Sequence, residues 1–388
     1  MKFIDEVTIT GKRILLRVDF NVSFDAQHRI LDDERIQRTL PTIRYLLEEN
    51  DFPILLSHLG QPKGREETLS LRPVALRLQE LLPQIKVHFV QDLSSLPIEN
   101  TRSGIKKQLV LLENIRFFKG ETSNDPTFAK YLASFGDVFV NDAFGVSHRK
   151  ETSVVGLPSF LPSYGGLLLK KEITMIDQLL HHPTHPFVAI LGGAKISTKI
   201  TVIKKLMTLA DSILLGGGLA NTFLLAQGLQ VGKSLVEEQE VATARQLLDT
   251  AQQENVALLL PTDVVVGRQD GSSQETKSVT RLESTDTIFD IGPHTIESYQ
   301  AAISHGKSLL WNGPLGYFET PVFAKGTDAI FTALTQNQKA TSVIGGGETL
   351  TSIAHLPGHD KITHISTGGG ALLEYIANGT LPGIDALK

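Results

Sequence analysis

In "AILGGAKISTK" a pair of glycines, Gly192 and Gly193, is followed by two lysines four residues apart, Lys195 and Lys199. Read as the opening of a helix, that spacing puts both ammonium groups on one helical face beside the glycine turn. There they would contact phosphate and neutralise the charge on a transferring phosphoryl group. Two further glycine turns carry related chemistry. "GGGET" (345–349) sets Glu348 and Thr349 directly after Gly345, Gly346 and Gly347, a carboxylate and a hydroxyl suited to a phosphate-bound Mg²⁺. "STGGGALLEYI" passes from an apolar run through Gly368, Gly369 and Gly370 into a helical pattern. That junction offers free backbone N–H groups and the positive end of a helix to an anion.

The first half of the chain has different candidates. Asp19 and Asn21, His58, Glu113-Asn114 with Arg116, and Asn141-Asp142 with His148 and Arg149 each follow a short apolar run. Residues 1–175 hold 12 of the 15 arginines, whereas 176–388 hold 23 of the 33 glycines. Arginine grips carboxylates and phosphates with a bidentate fork, and glycine lets backbone approach a ligand closely. Two halves with distinct recognition chemistry follow. His58 and His148 fit a general base, a core residue or a phosphate donor, and we take the donor role beside the arginines.

Other patterns point away from familiar sites. "GLQVGKS" (228–234) has three residues where a P-loop needs four, and it follows a helical pattern rather than a strand, so it reads as a helix-ending loop. "GGGLAN" (216–221) has asparagine where a dinucleotide fingerprint ends in glycine. His181, His182 and His185 flank prolines in an expected loop and make a poor metal site. The 388 residues carry a net charge of -5 and no cysteine, which gives no global pull toward nucleic acid and leaves no disulfide. With no membrane-length apolar run and no export signal at the start, a cytoplasmic protein is expected.

Parallel strands must position these groups. Apolar runs without strict alternation, such as "RILLRVDFN" (13–21), "FPILLSHLG" (52–60), "DVFVNDAFG" (137–145), "FVAILGGAK" (187–195) and "LLLPTDVVV" (258–266), suit strands buried on both faces. Between them lie helical patterns such as "TLPTIRYLLEEN" (39–50) and "STKITVIKKLMTLA" (197–210). The alternation predicts an α/β protein of two doubly wound, Rossmann-like, three-layer domains with mainly parallel sheets, joined by a helical hinge. The junction is placed in 164–186, which shows no strand signal and reads as a helix fraying into a loop. Ligands then bind beyond the carboxyl ends of the strands, where the candidate residues stand.

Taken together, "RVDFNV", "SHLG", "LLENIRF", "NDAFG", "AILGGAK", "WNGPLG" and "HISTGGGALLE" resemble the phosphoglycerate kinase family, in one order over essentially the full length. The resemblance implies a phosphoglycerate-binding domain over 1–170, a nucleotide-binding domain over 171–375, and a tail, 376–388, packing back on the first. It implies reversible Mg²⁺-dependent phosphoryl transfer from 1,3-bisphosphoglycerate to ADP, giving 3-phosphoglycerate and ATP in glycolysis and gluconeogenesis. A monomer that closes about its hinge is expected. Substrate contacts fall on Asp19, Phe20, Asn21, Arg35, His58, Leu59, Gly60, Gln61, Arg116 and Arg149. Nucleotide contacts fall on Gly193, Lys195, Lys199, Gly217, Gly218, Asn312, Glu319, Gly346, Gly347, Glu348 and Thr349, with Glu348 meeting Mg²⁺ through the nucleotide phosphates. Arg35, Lys195 and the turn Gly368, Gly369 and Gly370 take the catalytic roles.

Two positions depart from the family pattern: Gln61 stands where arginine is usual, and Glu348 where aspartate is usual. A kinase-like scaffold that only holds nucleotide, and a two-domain dehydrogenase, are the alternative readings. Detectable ATP formation excludes the first, and the second lacks an intact G-x-G-x-x-G with an acidic residue about 20 positions on.

Overall fold

The computed structural model describes residues 1–49, 51–96 and 107–388. Two compact units form, Met1–Ile173 with Asn378–Lys388, and Thr174–Ala377.

The first unit alternates β1 (Arg13–Arg17), α1 (Glu34–Glu48), β2 (Phe52–Leu56), α2 (Arg72–Leu81), β3 (Lys86–Val90), β4 (Gln108–Leu112), α3 (Pro126–Ala133), β5 (Val138–Asn141) and β6 (Ser163–Gly165). Its six described strands are ordered β3-β4-β2-β1-β5-β6 and all pair in parallel. The apolar runs explain the arrangement: Ile14, Leu15 and Leu16, Ile54 to Leu56, and Leu109 to Leu112 are wholly buried, as strands covered by helices on both faces require. In α1 the buried Ile36, Leu40, Ile43 and Leu46 recur at helical spacing. Asn50, at the end of that predicted pattern, lies outside the described residues. Asp125 starts α3, its carboxylate accepting from Phe128 N at 2.9 Å with Pro126 in the first turn.

The division between units falls inside α4 (Leu167–His181). The second unit continues with β7 (Phe187–Leu191), α5 (Ile200–Met207), β8 (Ser212–Leu215), α6 (Gly217–Ala226), α7 (Val241–Gln253), β9 (Ala257–Leu259), β10 (Asp263–Gly267), β11 (Gln274–Ser278), β12 (Ile288–Ile291), α8 (Pro293–His305), β13 (Ser308–Asn312), α9 (Lys325–Gln336), β14 (Thr341–Gly345), α10 (Gly347–Ile353), β15 (His364–Ile365) and α11 (Gly369–Asn378). Its main sheet, β15-β14-β13-β7-β8-β9, is again parallel throughout. The buried Trp311 lies in the core beneath it with Ile190, Ile344 and Phe331.

Two expectations fail here. The run 258–266 is not one strand: Pro261 and Thr262 separate β9, at the edge of the parallel sheet, from β10. β10 instead centres a small antiparallel sheet, β11-β10-β12, with its own core of Leu224, Val231, Val264, Val266, Val279 and Leu282. The stretch 164–186 also contains the end of a strand, since Ser163–Gly165 pairs with β5 as the edge strand β6. Three residues are too few for a periodic signal. Among the described residues no helix is long and apolar enough to cross a membrane.

The chain ends in α12 (Pro382–Asp385), which belongs to the first unit. Gly383 N donates to Ser147 O at 2.7 Å, and Asn141 Nδ2 donates to Gly383 O at 3.4 Å. A Cβ on Gly383 would lie 2.7 Å from Val154 Cγ1 and 3.0 Å from Ser147 O. G383A therefore lifts the tail from its seat and lowers stability by about 1–3 kcal/mol, measured by urea titration.

Candidate active site

Parallel pairing sends every strand of the first sheet to the same rim, so the segments after β1, β2, β4 and β5 meet there. Phe20 N donates to Ser57 Oγ at 2.9 Å and Gly60 N to Asn21 Oδ1 at 2.8 Å, which ties the β1 and β2 segments together. Asn114, after β4, fastens the second segment: its Oδ1 accepts from Leu59 N at 3.2 Å and Arg116 N at 3.1 Å. Its Nδ2 donates to Leu59 O at 2.7 Å and Leu69 O at 2.9 Å. Leu59 and Gly60 are thereby held as backbone.

The charged groups converge on His58. Arg35 Nη1 donates to Asp19 Oδ2, and His58 Nδ1 lies 3.9 Å from Asp19 Oδ1. Burial pushes the Asp19 carboxyl up, but the neighbouring cations, Arg35 first, hold it below its ordinary value. Burial, helped by Arg17, Arg116 and Arg35, drives His58 well below the usual imidazole range despite Asp19. His58 is therefore neutral near pH 7. Arg17 Nη2 faces its Nδ1 at 3.4 Å, and a guanidinium only donates, so Nδ1 accepts and Nε2 carries the proton. That tautomer leaves Nε2–H as a hydrogen-bond donor. Arg116 is buried, its Nη1 on Gly60 O at 2.6 Å and its Nη2 on Glu151 Oε1 at 2.7 Å. Arg149 is exposed on the turn after β5.

Arg17 was not among the expected site residues. It is fully buried at the end of β1, with Nε on Ser153 Oγ at 2.8 Å and Nη1 on Val18 O at 2.5 Å. Ser153 connects it to Glu121, whose carboxyl accepts from Ser153 N at 3.0 Å and Oγ at 2.5 Å and is pushed by burial up to about 7. The signal in the sequence was a charge inside an apolar run, "RILLRVDFN". Other strand-end candidates serve the scaffold. Asp142 Oδ1 accepts from Leu168 N at 2.9 Å and Leu169 N at 3.0 Å, capping α4. Glu113 accepts from Leu71 N at 2.8 Å and Ser70 Oγ at 2.8 Å. His148 is half-buried. Gln61, Lys63 and Arg65 are all exposed, and Lys63 N is held by Glu66 Oε1 at 2.9 Å.

In the second unit three strand-end segments pack backbone against backbone. Gly193 N donates to Pro314 O at 2.7 Å, Gly217 N to Leu315 O at 2.9 Å, and Leu219 N to Gly193 O at 3.0 Å. A Cβ on Gly192 would approach Pro314 O to 2.1 Å, so only glycine permits this floor. Above it opens a cleft of about 540 Å³, with Gly193, Gly217, Gly218, Lys233, Glu319 and Glu348 among its lining residues. Leu235, Val264, Ile288 and Leu315 supply apolar wall. Asn312, ending β13, bridges the rim: its Oδ1 accepts from Lys199 Nζ at 2.6 Å and its Nδ2 donates to Gly345 O at 2.7 Å. The glycine turns 345–347 and 368–370 are neighbours, since a Cβ on Gly369 would stand 3.5 Å from Gly347 N. Gly368 N is held by Ser366 Oγ at 3.1 Å, and α11 begins at Gly369.

Two readings of these residues are corrected. Lys195 and Lys199 do not share a helical face, because α5 begins only at Ile200. Glu237 captures Ser197 N at 2.9 Å and Oγ at 2.7 Å, holding 195–199 as a turn that leaves Lys195 exposed and Lys199 buried. Thr349 does not present a free hydroxyl, since Oγ1 accepts from Gly313 N at 2.6 Å and donates to Gly345 O at 3.1 Å. The near-P-loop "GLQVGKS" follows α6 as a loop, with Lys233 N donating to Asp286 O at 2.6 Å, yet it still brings Lys233 to the cleft. His181 ends α4 rather than lying in a loop, and His185 pairs with Asp211 at 2.6 Å.

An arginine-lined anion rim in one α/β unit and a glycine-floored cleft in the other mark a phosphotransferase. The family model for phosphoglycerate kinase matches residues 4–379. The phosphoglycerate kinase of Dictyoglomus turgidum is 46% identical over 383 residues, covering 98% of this chain and 96% of that protein. That of Chloroflexus aggregans is 46% identical over 396 residues, covering 100% and 98%. The structure of the Coxiella burnetii enzyme superposes with a TM-score of 0.87 at 36% identity, covering 99% of this chain and 97% of that one. The Pyrococcus horikoshii enzyme gives 0.82 at 30% identity, covering 100% and 98%. The chain belongs to the phosphoglycerate kinase family, and it is a glycolytic kinase acting on a carboxyl group.

Burial brings Lys199 down to about 8, against the opposing pull of Glu348. A base whose folded pKa lies below its unfolded value destabilises the fold while charged, so stability rises as pH climbs from about 8 toward 10.5. Urea titrations at several pH values should show that rise in the wild type, on the order of 2 kcal/mol, and its loss in K199M.

Proposed function

We propose that the rim of the first unit holds the acidic metabolite and the cleft of the second holds the nucleotide. The reaction moves the phosphoryl group from the acyl phosphate of 1,3-bisphosphoglycerate to ADP, giving 3-phosphoglycerate and ATP, reversibly. The observation that carries this reading is the convergence of Arg17, Arg35 and Arg116 around the neutral, buried His58. A compact ligand with a phosphate and a carboxylate suits such donors, since paired oxygens of either group match the planar guanidinium fork.

On that rim Arg116 and Arg149 bind the metabolite's anionic groups, and His58 donates from Nε2. Asn21 and the backbone of Phe20, Leu59, Gly60 and Gln61 shape the pocket, and Asp19 orients Arg35. In the cleft Gly193, Gly217 and Gly218 admit the flat base at backbone distance. Glu319 accepts from ribose hydroxyls, because a carboxylate is repelled by phosphates. Lys195 and Lys199 face the phosphates, and Asn312 with Thr349 holds the Gly346, Gly347 and Glu348 turn in place.

Among the described residues no group of three or more His, Cys, Asp or Glu side chains is arranged to hold a metal ion alone. The cleft presents the carboxylate of Glu348 among its lining residues. That fits Mg²⁺ carried by the nucleotide, since this ion is commonly held by one or two carboxylates with substrate phosphates. Bound there, it would neutralise phosphate charge. Arg35, Lys195 and the amides of Gly368, Gly369 and Gly370 stabilise charge on the transferring group, and no covalent enzyme intermediate is needed. A cytoplasmic monomer is the setting we propose.

A coupled assay decides between this reading and a nucleotide-holding scaffold. ATP should form from 1,3-bisphosphoglycerate and ADP, and its complete absence in folded protein would sink the proposal. R35A should lower kcat about 10²–10³-fold while the KM for ADP moves by less than about threefold. Equal losses in both constants would count against the role given to Arg35.

A further inference from the structure

Arg116 is expected to grip the metabolite, yet its guanidinium already holds a carboxylate. The side chains of Arg116 and Glu151 are only 5% and 8% exposed, and Nη2 meets Oε1 at 2.7 Å. The pair is joined by a single bond. Arg116 Nε and Glu151 Oε2 are both buried and, among the described residues, have no hydrogen-bond partner. An arginine and a carboxylate that meet for purely structural reasons commonly close a fork of two parallel bonds, and an open arm on each side is costly in a buried place. Glu151 also belongs to the functional rim. It follows Arg149 by two residues, its charge acts on Arg17, and it adds to the upward push on Glu121.

We propose that Glu151 is a specificity-determining residue: it occupies Arg116 as a half-bonded internal anion that the metabolite must displace. The proposal rests on reading this rim as the phosphoglycerate site. A phosphate group has three terminal oxygens and offers acceptors to both Nε–H and Nη2–H, completing the fork that Glu151 leaves open. An anion of lower charge or fewer oxygens gains too little to replace the resident carboxylate. Glu151 thus lowers affinity for anions in general, and the penalty falls hardest on the weakest of them.

The test compares wild type with E151Q, which keeps shape and removes charge. Calorimetric titration with 3-phosphoglycerate and with inorganic phosphate gives the two dissociation constants, and steady-state kinetics gives the KM values. Removing a partly screened charge beside the bound anion should tighten 3-phosphoglycerate about three- to tenfold and inorganic phosphate at least as much. The KM for ATP should stay within about twofold, since the cleft of the second unit is untouched. If Glu151 only positions Arg116, both anions bind equally well or more weakly in E151Q, and the proposal is overturned. Should E151Q fail to fold by thermal melt, a crystal structure of the wild type with 3-phosphoglycerate decides instead. A bound ligand with the Arg116–Glu151 bond broken supports displacement, and a bound ligand with that bond intact refutes it. Wild-type turnover separates the two levels of argument: no turnover removes the phosphoglycerate reading itself, whereas turnover without tighter binding in E151Q removes only the role of Glu151.

Discussion

A guanidinium taken out of water must be met by acceptors, and much of the first unit follows from that requirement. Arg17 reaches Val18 O and Ser153, Arg35 reaches Asp19, and Arg116 reaches Gly60 O and Glu151. Apart from Val18 O and Asp19 these partners come from distant parts of the chain, and the parallel sheet brings them to one rim. Burial drives His58 below the usual imidazole range, and the same cations add to that push. The carboxylates are equally constrained. Glu121 is driven upward by burial even with Arg17 nearby, because Ser153 rather than the guanidinium makes its direct hydrogen bonds.

The second unit presents donors by another route. Its floor is backbone packed on backbone, which glycine alone allows at Gly192. One buried lysine, Lys199, is steadied by Asn312, and the other cations at the rim are exposed or line the cleft. Backbone amides carry a fixed partial charge that does not titrate and needs no paired carboxylate. The composition split between the halves thus reflects two ways of holding negative charge.

Local chemistry was readable from the sequence wherever it depended on neighbours in the chain. Apolar runs gave the strands around Leu15, Ile54, Val140 and Ile190, and the wrong spacing in "GLQVGKS" correctly argued against a P-loop. What the sequence hid depended on distant contacts. Glu237 turns 195–199 away from helix from 40 residues off, and Ser153 meets Arg17 from 136 residues away. Thr349 looked like a free ligand until Gly313 N claimed its hydroxyl across the fold. The split at Pro261 and Thr262 shows the limit of reading an apolar run as one strand: hydropathy ignored a change of sheet.

Charge balance at the first rim then bears on how the metabolite is selected. Arg17, Arg35, Arg116 and Arg149 stand against Asp19, Glu151 and a Glu121 that burial raises to about 7, so carboxylates offset part of the positive charge. Gln61 adds none, and Lys63 and Arg65 are exposed. A strong general field would attract any anion and discriminate poorly. On the reading proposed for this rim, partly offset charge with oriented donors favours a ligand whose oxygens match Arg116, His58 and the fixed Gly60 segment together. Selectivity here comes from where the hydrogen bonds point more than from how much charge the rim carries.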